Sequence, residues 1–152
     1  MEKLIVILGP TASGKTTLAV KLASTYNGEI ISADSRQIYI GMDIGTGKDL
    51  KEYKLKNKTI PYHLINILSP EKDYSVFQFK NDFHNIYNRI NNAKKNTILC
   101  GGTALYLDSI LFNYDMMGSP PNKILRDKLE ELPIEALIDK LIRLDESIYD
   151  IK

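Results

Sequence analysis

Residues 3–16 read "KLIVILGPTASGKT" and carry the strongest structural signal in the chain. The first part, residues 3–8, is a continuous and largely apolar run, which is typical of a parallel strand covered on both faces. Residues 9–16 match the pattern G-x-x-x-x-G-K-[ST] at every fixed position. From Lys15 to about Tyr26, leucines and alanines recur at helical spacing. A strand, a glycine-rich turn and a helix in this order predict the start of an α/β domain.

The matched pattern is that of a phosphate-binding loop. Its glycines let backbone N–H groups turn inward around a phosphate, and the following helix N-terminus adds partial positive charge. Lys15 adds a full charge, and the Thr16 hydroxyl can hold Mg²⁺. We therefore predict that a diphosphate or triphosphate binds to Gly9, Pro10, Thr11, Ala12, Ser13, Gly14, Lys15 and Thr16. The loop alone does not tell whether the ligand is ATP or a molecule that carries a diphosphate.

The pattern of alternating strands and helices continues to about residue 113. "EIISA" (29–33), "PYHLINI" (61–67) and "TILCGG" (97–102) are predicted strands. Residues 76–95 and 103–112 are predicted helices, and the lysine-rich residues 48–58 are predicted to form a surface loop or frayed helix. The sequence thus predicts a parallel sheet flanked by helices over residues 1–113.

Residues 114–152 have a different character. The turn-rich stretch "NYDMMGSPPN" (113–122) is followed by helical patterns at 123–131 and 134–144, with Pro133 between them. No further strand is predicted there, so we expect a second, helical region.

Composition makes several classes of protein less probable. The 152 residues are 43% apolar and 26% charged, which is ordinary for a soluble globular protein. No apolar run approaches the roughly 20 residues of a membrane span, and the start does not resemble a secretory signal, so we expect a cytoplasmic protein without membrane contact. The net charge of +1 argues against a broad nucleic-acid footprint but allows a local one. The single cysteine, Cys100, is expected to be a buried thiol, and the two histidines show no metal-ligand spacing.

Asp34, Ser35, Arg36 and Gln37 directly follow the predicted strand 29–33. They lie at the edge where open α/β sheets gather their ligands. The residues alone leave three roles open for Asp34: a general base, a Mg²⁺ ligand as in nucleotidases, or a helix N-cap that forms a capping box with Gln37. Arg36 fits either a phosphate contact or a solvated surface charge.

Four blocks of the sequence, in this order, resemble the tRNA dimethylallyltransferases, also called tRNA isopentenyltransferases. They are "GPTASGKT", "GEIISADSRQIYIGMDIGTGK" (28–48), "IPYHLINI" followed by "YSVFQF", and "CGGTALYL". The resemblance covers residues 3–112 and implies a P-loop NTPase-like core. It also implies transfer of a dimethylallyl group from dimethylallyl diphosphate to the exocyclic amine of the adenosine next to the anticodon in tRNA. The phosphate loop would then hold the diphosphate leaving group rather than ATP.

The resemblance implies roles for the matched residues. The catalytic set would be Asp34 as general base, Lys15 on the leaving diphosphate, and Thr103 near the reacting groups, with Mg²⁺ on Thr16 as the cofactor. As a purely structural residue, Thr103 would be the N-cap of the helix that follows it. The expected tRNA contacts are Asp34, Ser35, Arg36, Gln37, Thr103 and Arg126. Arg126 fits equally well on an exposed amphipathic helix. The expected partners are the tRNA anticodon loop and dimethylallyl diphosphate, and the chain is expected to be a monomer.

Length is the main departure from the family, whose members are about twice as long, as a two-domain protein would be. The remainder contains paired arginines that help the family bind tRNA and diphosphate, and none of Arg36, Arg89, Arg126 and Arg143 matches them. Residues 114–152 are therefore expected to be the first part of a helical tRNA-binding insertion. We expect weak diphosphate binding and poor or no transfer by this chain. Two alternatives remain: a P-loop kinase or ATPase with Asp34 on Mg²⁺, and a non-catalytic nucleotide- or RNA-binding module.

Overall fold

The computed structural model describes residues 4–55, 58–114 and 122–145. The chain divides into two compact units, Met1–Met116 and Met117–Lys152. In chain order the elements are β1 (Leu4–Leu8), α1 (Lys15–Thr25), β2 (Gly28–Ala33), a 3₁₀ turn (Leu50–Tyr53), β3 (Lys54–Leu55), β4 (Lys58–Thr59), β5 (Tyr62–His63), α2 (Val76–Asn92), β6 (Asn96–Gly101), α3 (Ala104–Leu111), α4 (Lys123–Glu130) and α5 (Ile134–Leu144). None of these helices is long and apolar enough to cross a membrane.

The first unit is built on a parallel sheet with the strand order β1-β6-β2-β5. β6, the last of these strands in the sequence, lies between the first two. Its final residue, Gly101, pairs with Leu8 on one side and with Ala33 on the other. The carboxyl ends of three strands therefore meet at one edge, and the predicted parallel sheet is confirmed.

Gly101 is required by the close approach of β2 and β6. A Cβ atom at this position would lie 2.2 Å from the Ala33 carbonyl oxygen, far inside van der Waals contact. Only glycine allows the two strand ends to lie this close together.

Both faces of the sheet are covered, as the apolar strand sequences predict. On one face Ala19 and Val20 of α1 pack in a cluster that includes Ile30. On the other face Ile31 belongs to a cluster with Phe79 of α2, whose ring stacks on Tyr106 at a centroid distance of 4.1 Å. Adjacent residues of β2 thus point to opposite faces, because the side-chain period of a strand is two.

The strand predicted over residues 61–67 is shorter than expected. Only Tyr62 and His63 pair with β2, and then the backbone turns into left-handed conformations at Leu64 (φ 61°) and Asn66 (φ 54°). Such values interrupt a strand, and apolar composition alone does not reveal them.

The side chain of His63 is paired with a glutamate of the neighbouring strand β2. Its Nε2 lies 2.7 Å from Glu29 Oε2, while Lys95 Nζ donates to Glu29 Oε1 at 2.7 Å. Burial raises the pKa of Glu29, but the hydrogen bonds and charges of Lys95 and His63 outweigh it, and the pKa lies below its ordinary value of 4.5.

Residues 48–58 were predicted to form a surface loop or frayed helix, and this expectation was only partly right. The described part of this stretch contains the 3₁₀ turn, β3 and the first residue of β4. Lys48 and Tyr53 are buried, with Tyr53 packed against Tyr62 at a ring centroid distance of 4.4 Å. A lysine-rich composition suggested a solvated surface, whereas individual side chains of the stretch point inward.

The second unit is helical in its described part, as predicted. The side chain of Asn122 accepts a hydrogen bond from Leu125 N and caps α4, and Pro133 precedes α5. Neither helix contains a buried residue, and large apolar side chains such as Ile134 and Leu144 are exposed.

Candidate active site

A cavity of about 640 Å³ lies at the carboxyl edge of the sheet in the first unit. Residues 11–16 of the phosphate loop form part of its lining, and the turn after β2 contributes Asp34, Arg36 and Gln37. The junction of β6 and α3 adds Gly101 to Thr103, and a loop from Asp43 to Asp49 adds further lining residues. The fold thus brings residues 11–16 of the predicted phosphate site and four of the predicted RNA contacts, Asp34, Arg36, Gln37 and Thr103, to one space.

The phosphate loop passes through left-handed backbone conformations at two positions. Gly14 has φ 80°, and the non-glycine residue Ala12 also lies in the left-handed region, with φ 62°. Ser13 Oγ donates a hydrogen bond to the Pro10 carbonyl at 2.8 Å, and Lys15 Nζ donates to the same oxygen. The lysine is therefore folded back on its own loop, within the cavity lining.

The N-terminus of α1 is open for an anion. Gly14 occupies the N-cap position and offers no side chain to cap the first amide groups of the helix. Backbone N–H groups and the helix dipole together favour a negative group at this position. This geometry supports the predicted phosphate site, since six of its eight residues, 11–16, line the cavity.

Asp34 begins a turn, not a helix, so the interpretation of Asp34 and Gln37 as a helix capping box is wrong. Its Oδ1 accepts a hydrogen bond from Arg36 N at 2.9 Å, and Gln37 N donates to its backbone carbonyl at 3.3 Å. The Asp34 side chain is 20% exposed, and the Arg36 guanidinium is 3.9 Å from Oδ1 and largely exposed. The carboxylate is thus held by the backbone and borders the cavity.

Thr103, which follows β6, is hydrogen-bonded to the turn that contains Asp34. Its Oγ1 accepts a hydrogen bond from Ser35 N at 3.0 Å and lies 3.3 Å from Ser35 Oγ. Its backbone N donates to the Ala33 carbonyl at 3.1 Å. Thr103 therefore holds the residues on both sides of Asp34. It occupies the N-cap position of α3, but its side chain does not cap that helix.

The loop from Asp43 to Asp49 contributes lining residues that sequence reasoning did not select. Gly47 O accepts a hydrogen bond from Gln37 Nε2 at 3.4 Å, and the buried Lys48 follows directly. The available signal was the glycine-rich "GTGK", which lies inside one of the blocks resembling the family.

Cys100 lines the cavity as a neutral thiol. Burial raises its pKa to about 11, although the charge of Lys15 acts in the opposite direction. A thiol with this pKa is almost fully protonated near neutral pH and is a poor nucleophile. The prediction of a buried, unreactive cysteine agrees with this environment.

The donor atoms of the cavity fit a magnesium ion that is bound mainly through substrate phosphates. Thr16 supplies a hydroxyl to the lining. Within residues 4–55, 58–114 and 122–145, no cluster of three or more His, Cys, Asp or Glu side chains could enclose a metal ion. Mg²⁺ commonly takes only one or two protein oxygens and completes its shell with phosphates and water.

Arg126, the remaining predicted tRNA contact, lies on α4 in the second unit and is exposed. The expectation of an exposed amphipathic helix agrees with this placement. Its contact with tRNA stays a prediction.

A family model described as IPP transferase matches residues 37–151 of the chain. The tRNA dimethylallyltransferase 1 of Azobacteroides pseudotrichonymphae is 52% identical over 135 residues, which is 89% of this chain and 44% of that protein.

Two solved structures have a similar fold. The full-length tRNA isopentenylpyrophosphate transferase from Bacillus halodurans superposes with a TM-score of 0.71 at 37% identity, over 96% of this chain and 48% of the other. A eukaryotic dimethylallyltransferase described as acting on tRNA gives a TM-score of 0.83 at 31% identity, over 97% of this chain and 37% of the other. The chain thus spans about half or less of the length of these proteins.

Proposed function

Because this chain belongs to the IPP transferase family, we propose that it takes part in dimethylallyl transfer to tRNA. The donor is dimethylallyl diphosphate, and the acceptor is the exocyclic amine of the adenosine adjacent to the anticodon. One observation carries the proposal: the phosphate loop and the Asp34–Gln37 turn line the same cavity. A diphosphate on the loop would thus have a carboxylate and an amide side chain within the same space.

In the proposed reaction, the adenine amine attacks the allylic carbon that carries the diphosphate. A C–N bond forms, the C–O bond to diphosphate breaks, and the amine loses one proton. The lone pair of this amine is delocalised into the ring, so removal of the proton as the bond forms assists the attack.

Asp34 suits the role of base. Its Oδ1 is held by Arg36 N, while no group among the described residues bonds its Oδ2. One carboxylate oxygen is thus fixed and the other is available for the proton.

The phosphate loop would stabilise the departing diphosphate. Lys15 Nζ is bound to the Pro10 carbonyl and would exchange that contact for a phosphate oxygen. The amide groups at the start of α1 add donors aimed at the same charge. Mg²⁺ held at the Thr16 hydroxyl would neutralise part of the charge that develops on the diphosphate.

The turn after Asp34 would meet the RNA. The adenine is stacked within the anticodon loop, so the enzyme must draw it out and bind its edges. Arg36 is 58% exposed and can reach a phosphate, and Gln37 carries both a donor and an acceptor. An amide side chain is suited to pair with the amine and ring nitrogen of adenine.

Ligand binding provides the first test, because it does not require full turnover. Dimethylallyl diphosphate with Mg²⁺ should raise the melting temperature of the chain. The Lys15→Ala variant should lose this shift, while Lys21→Ala, which removes an exposed lysine of α1, should retain it. A shift with ATP alone, together with ATP hydrolysis that depends on Lys15, would instead support a kinase or ATPase.

Transfer provides the second test. The chain is incubated with isotope-labelled dimethylallyl diphosphate, Mg²⁺ and unmodified tRNA, and label in the RNA is measured. We expect slow transfer relative to a full-length relative, reduced by about 100-fold or more in Asp34→Asn. Binding of both substrates without any labelled RNA would support a non-catalytic binding module.

A further inference from the structure

Lys48 is a charged side chain in an interior position. Its side chain is only 1% exposed, although it belongs to a lysine-rich stretch. A buried ammonium group is costly unless its hydrogen-bond donors and its charge are matched. The contacts that match it therefore indicate what the residue holds together.

All three donors of the Lys48 ammonium group are used. Nζ donates to Tyr39 O at 2.6 Å, to Asn66 Oδ1 at 2.6 Å and to Asp43 Oδ1 at 3.0 Å. A lysine offers three N–H donors, so its capacity is filled. The acceptors come from three separate segments: the turn after β2, the beginning of the loop from Asp43 to Asp49, and the segment after β5.

Two of these segments are already paired with each other. Residues 37–40 and 66–68 run side by side, tied by backbone hydrogen bonds of 2.8 to 3.2 Å. Lys48 joins the loop from Asp43 to Asp49, hereafter the cavity loop, to this pair. Apart from the ammonium group, the described hydrogen bond from the loop to this pair is the long one from Gln37 Nε2 to Gly47 O at 3.4 Å. Other contacts of the loop are local, such as Thr46 Oγ1 to Met42 O at 2.8 Å.

The cavity loop in turn contacts the side chain of Gln37. Gln37 Nε2 donates to Gly47 O at 3.4 Å, and Gln37 Oε1 accepts from Ser32 Oγ at 3.4 Å. Gly47 precedes Lys48 directly, so anchoring the lysine also fixes the position of this carbonyl. These two contacts fix the orientation of the Gln37 amide. Its second N–H donor and the second lone pair of its oxygen then face in defined directions.

We propose that Lys48 is a positioning residue for RNA recognition: it anchors the cavity loop, and through Gly47 O it orients the Gln37 amide. The proposal rests on the proposed function, in which Gln37 meets the adenine edge. If the amide were free to rotate, it would present its donor and acceptor in either order and would discriminate poorly between adenine and other bases. A fixed amide presents one order to the base.

The experiment compares Lys48→Met with Lys51→Met in the whole chain. Methionine keeps a long, unbranched side chain at position 48 but removes the ammonium group. Lys51 is exposed in the 3₁₀ turn, so its variant controls for loss of one positive charge near the same place. Affinity for unmodified tRNA is measured by fluorescence anisotropy, and affinity for inorganic diphosphate by calorimetry.

Lys48→Met should weaken tRNA binding by about tenfold relative to Lys51→Met, and diphosphate affinity should change by less than about twofold. An equal loss of both affinities would show a merely structural role and overturn the proposal. Unchanged tRNA binding would also overturn it.

Hydrogen exchange of residues 43–49 separates this proposal from the proposed function. Exchange in the cavity loop should be faster in Lys48→Met than in Lys51→Met, with α1 unchanged. If the wild-type chain binds no tRNA, the proposed function fails, and unchanged loop exchange would refute the anchoring role independently. If Lys48→Met does not fold, Asn66→Ala removes one acceptor, and it should produce the same changes to a smaller degree.

Discussion

Replacing Thr103 with valine should loosen the turn that carries Asp34 without emptying the space that the side chain fills. Valine keeps the branched shape but lacks the oxygen that accepts from Ser35 N at 3.0 Å. The neighbouring hydrogen bond from Thr103 N to Ala33 O involves only the backbone and remains. The substitution therefore isolates one contact between the end of β6 and the turn after β2.

The expected loss of stability in Thr103→Val depends on how exposed Ser35 and Thr103 are. A hydrogen bond of this kind contributes about 1 kcal/mol, and an amide left fully buried without a partner costs roughly 1–3 kcal/mol. Ser35 and Thr103 are only partly buried, so water can reach the freed amide and the lower figure applies. We expect a loss of about 1 kcal/mol, which corresponds to about fivefold in an opening equilibrium.

Two measurements test this estimate, with Thr103→Ser as the matched control because serine retains the acceptor oxygen. Urea denaturation gives the change in the free energy of unfolding, and amide hydrogen exchange monitored by NMR reports the protection of Ser35 N–H. Valine should reduce both, and serine should stay much closer to wild type. Equal effects of valine and serine, or wild-type protection of Ser35 in the valine variant, would refute the assigned contact.

Three further predictions concern the sheet. Gly101→Ala places a Cβ atom 2.2 Å from Ala33 O and should lower the free energy of unfolding, measured by urea titration, by about 3 kcal/mol or more. The control Gly102→Ala should have little effect in this titration, because a Cβ atom there meets only ordinary contacts. Thr97 has a buried hydroxyl without a hydrogen-bond partner among the described residues. Thr97→Val should therefore stabilise the chain by roughly 1 kcal/mol in thermal unfolding. A loss of stability would instead show that the hydroxyl has a partner. The lowered pKa of Glu29 contributes stability above its ordinary value of 4.5, and this is lost as pH falls through the lower folded value. Below pH 4.5 the free energy of unfolding should therefore decrease more steeply with falling pH for wild type than for Glu29→Gln. Equal slopes for the two proteins would contradict this.

Local sequence was sufficient for the phosphate loop and for most element boundaries. The residues of "GPTASGKT" lie next to one another in the chain, so their backbone preferences and spacing specify the loop without distant partners. Apolar periodicity located α1, α2, α4 and α5 to within a few residues, because a helix is built from contacts between close neighbours in sequence. The same signal failed for residues 61–67, where left-handed backbone at Leu64 and Asn66 ends the strand.

The site depends on contacts between residues that are far apart in the chain. Thr103 and Ser35 meet because β6 inserts between β1 and β2, an arrangement that hydrophobic patterns of single strands do not contain. Lys48 becomes a buried anchor only because the turn after β2 and the segment after β5 bring Tyr39 O and Asn66 Oδ1 together. Composition assigns such a lysine to the surface, since burial of a charge is favourable only once its partners are in place. The chemistry available to the chain could thus be read from its residue types, whereas the pairing of those residues required the folded sheet.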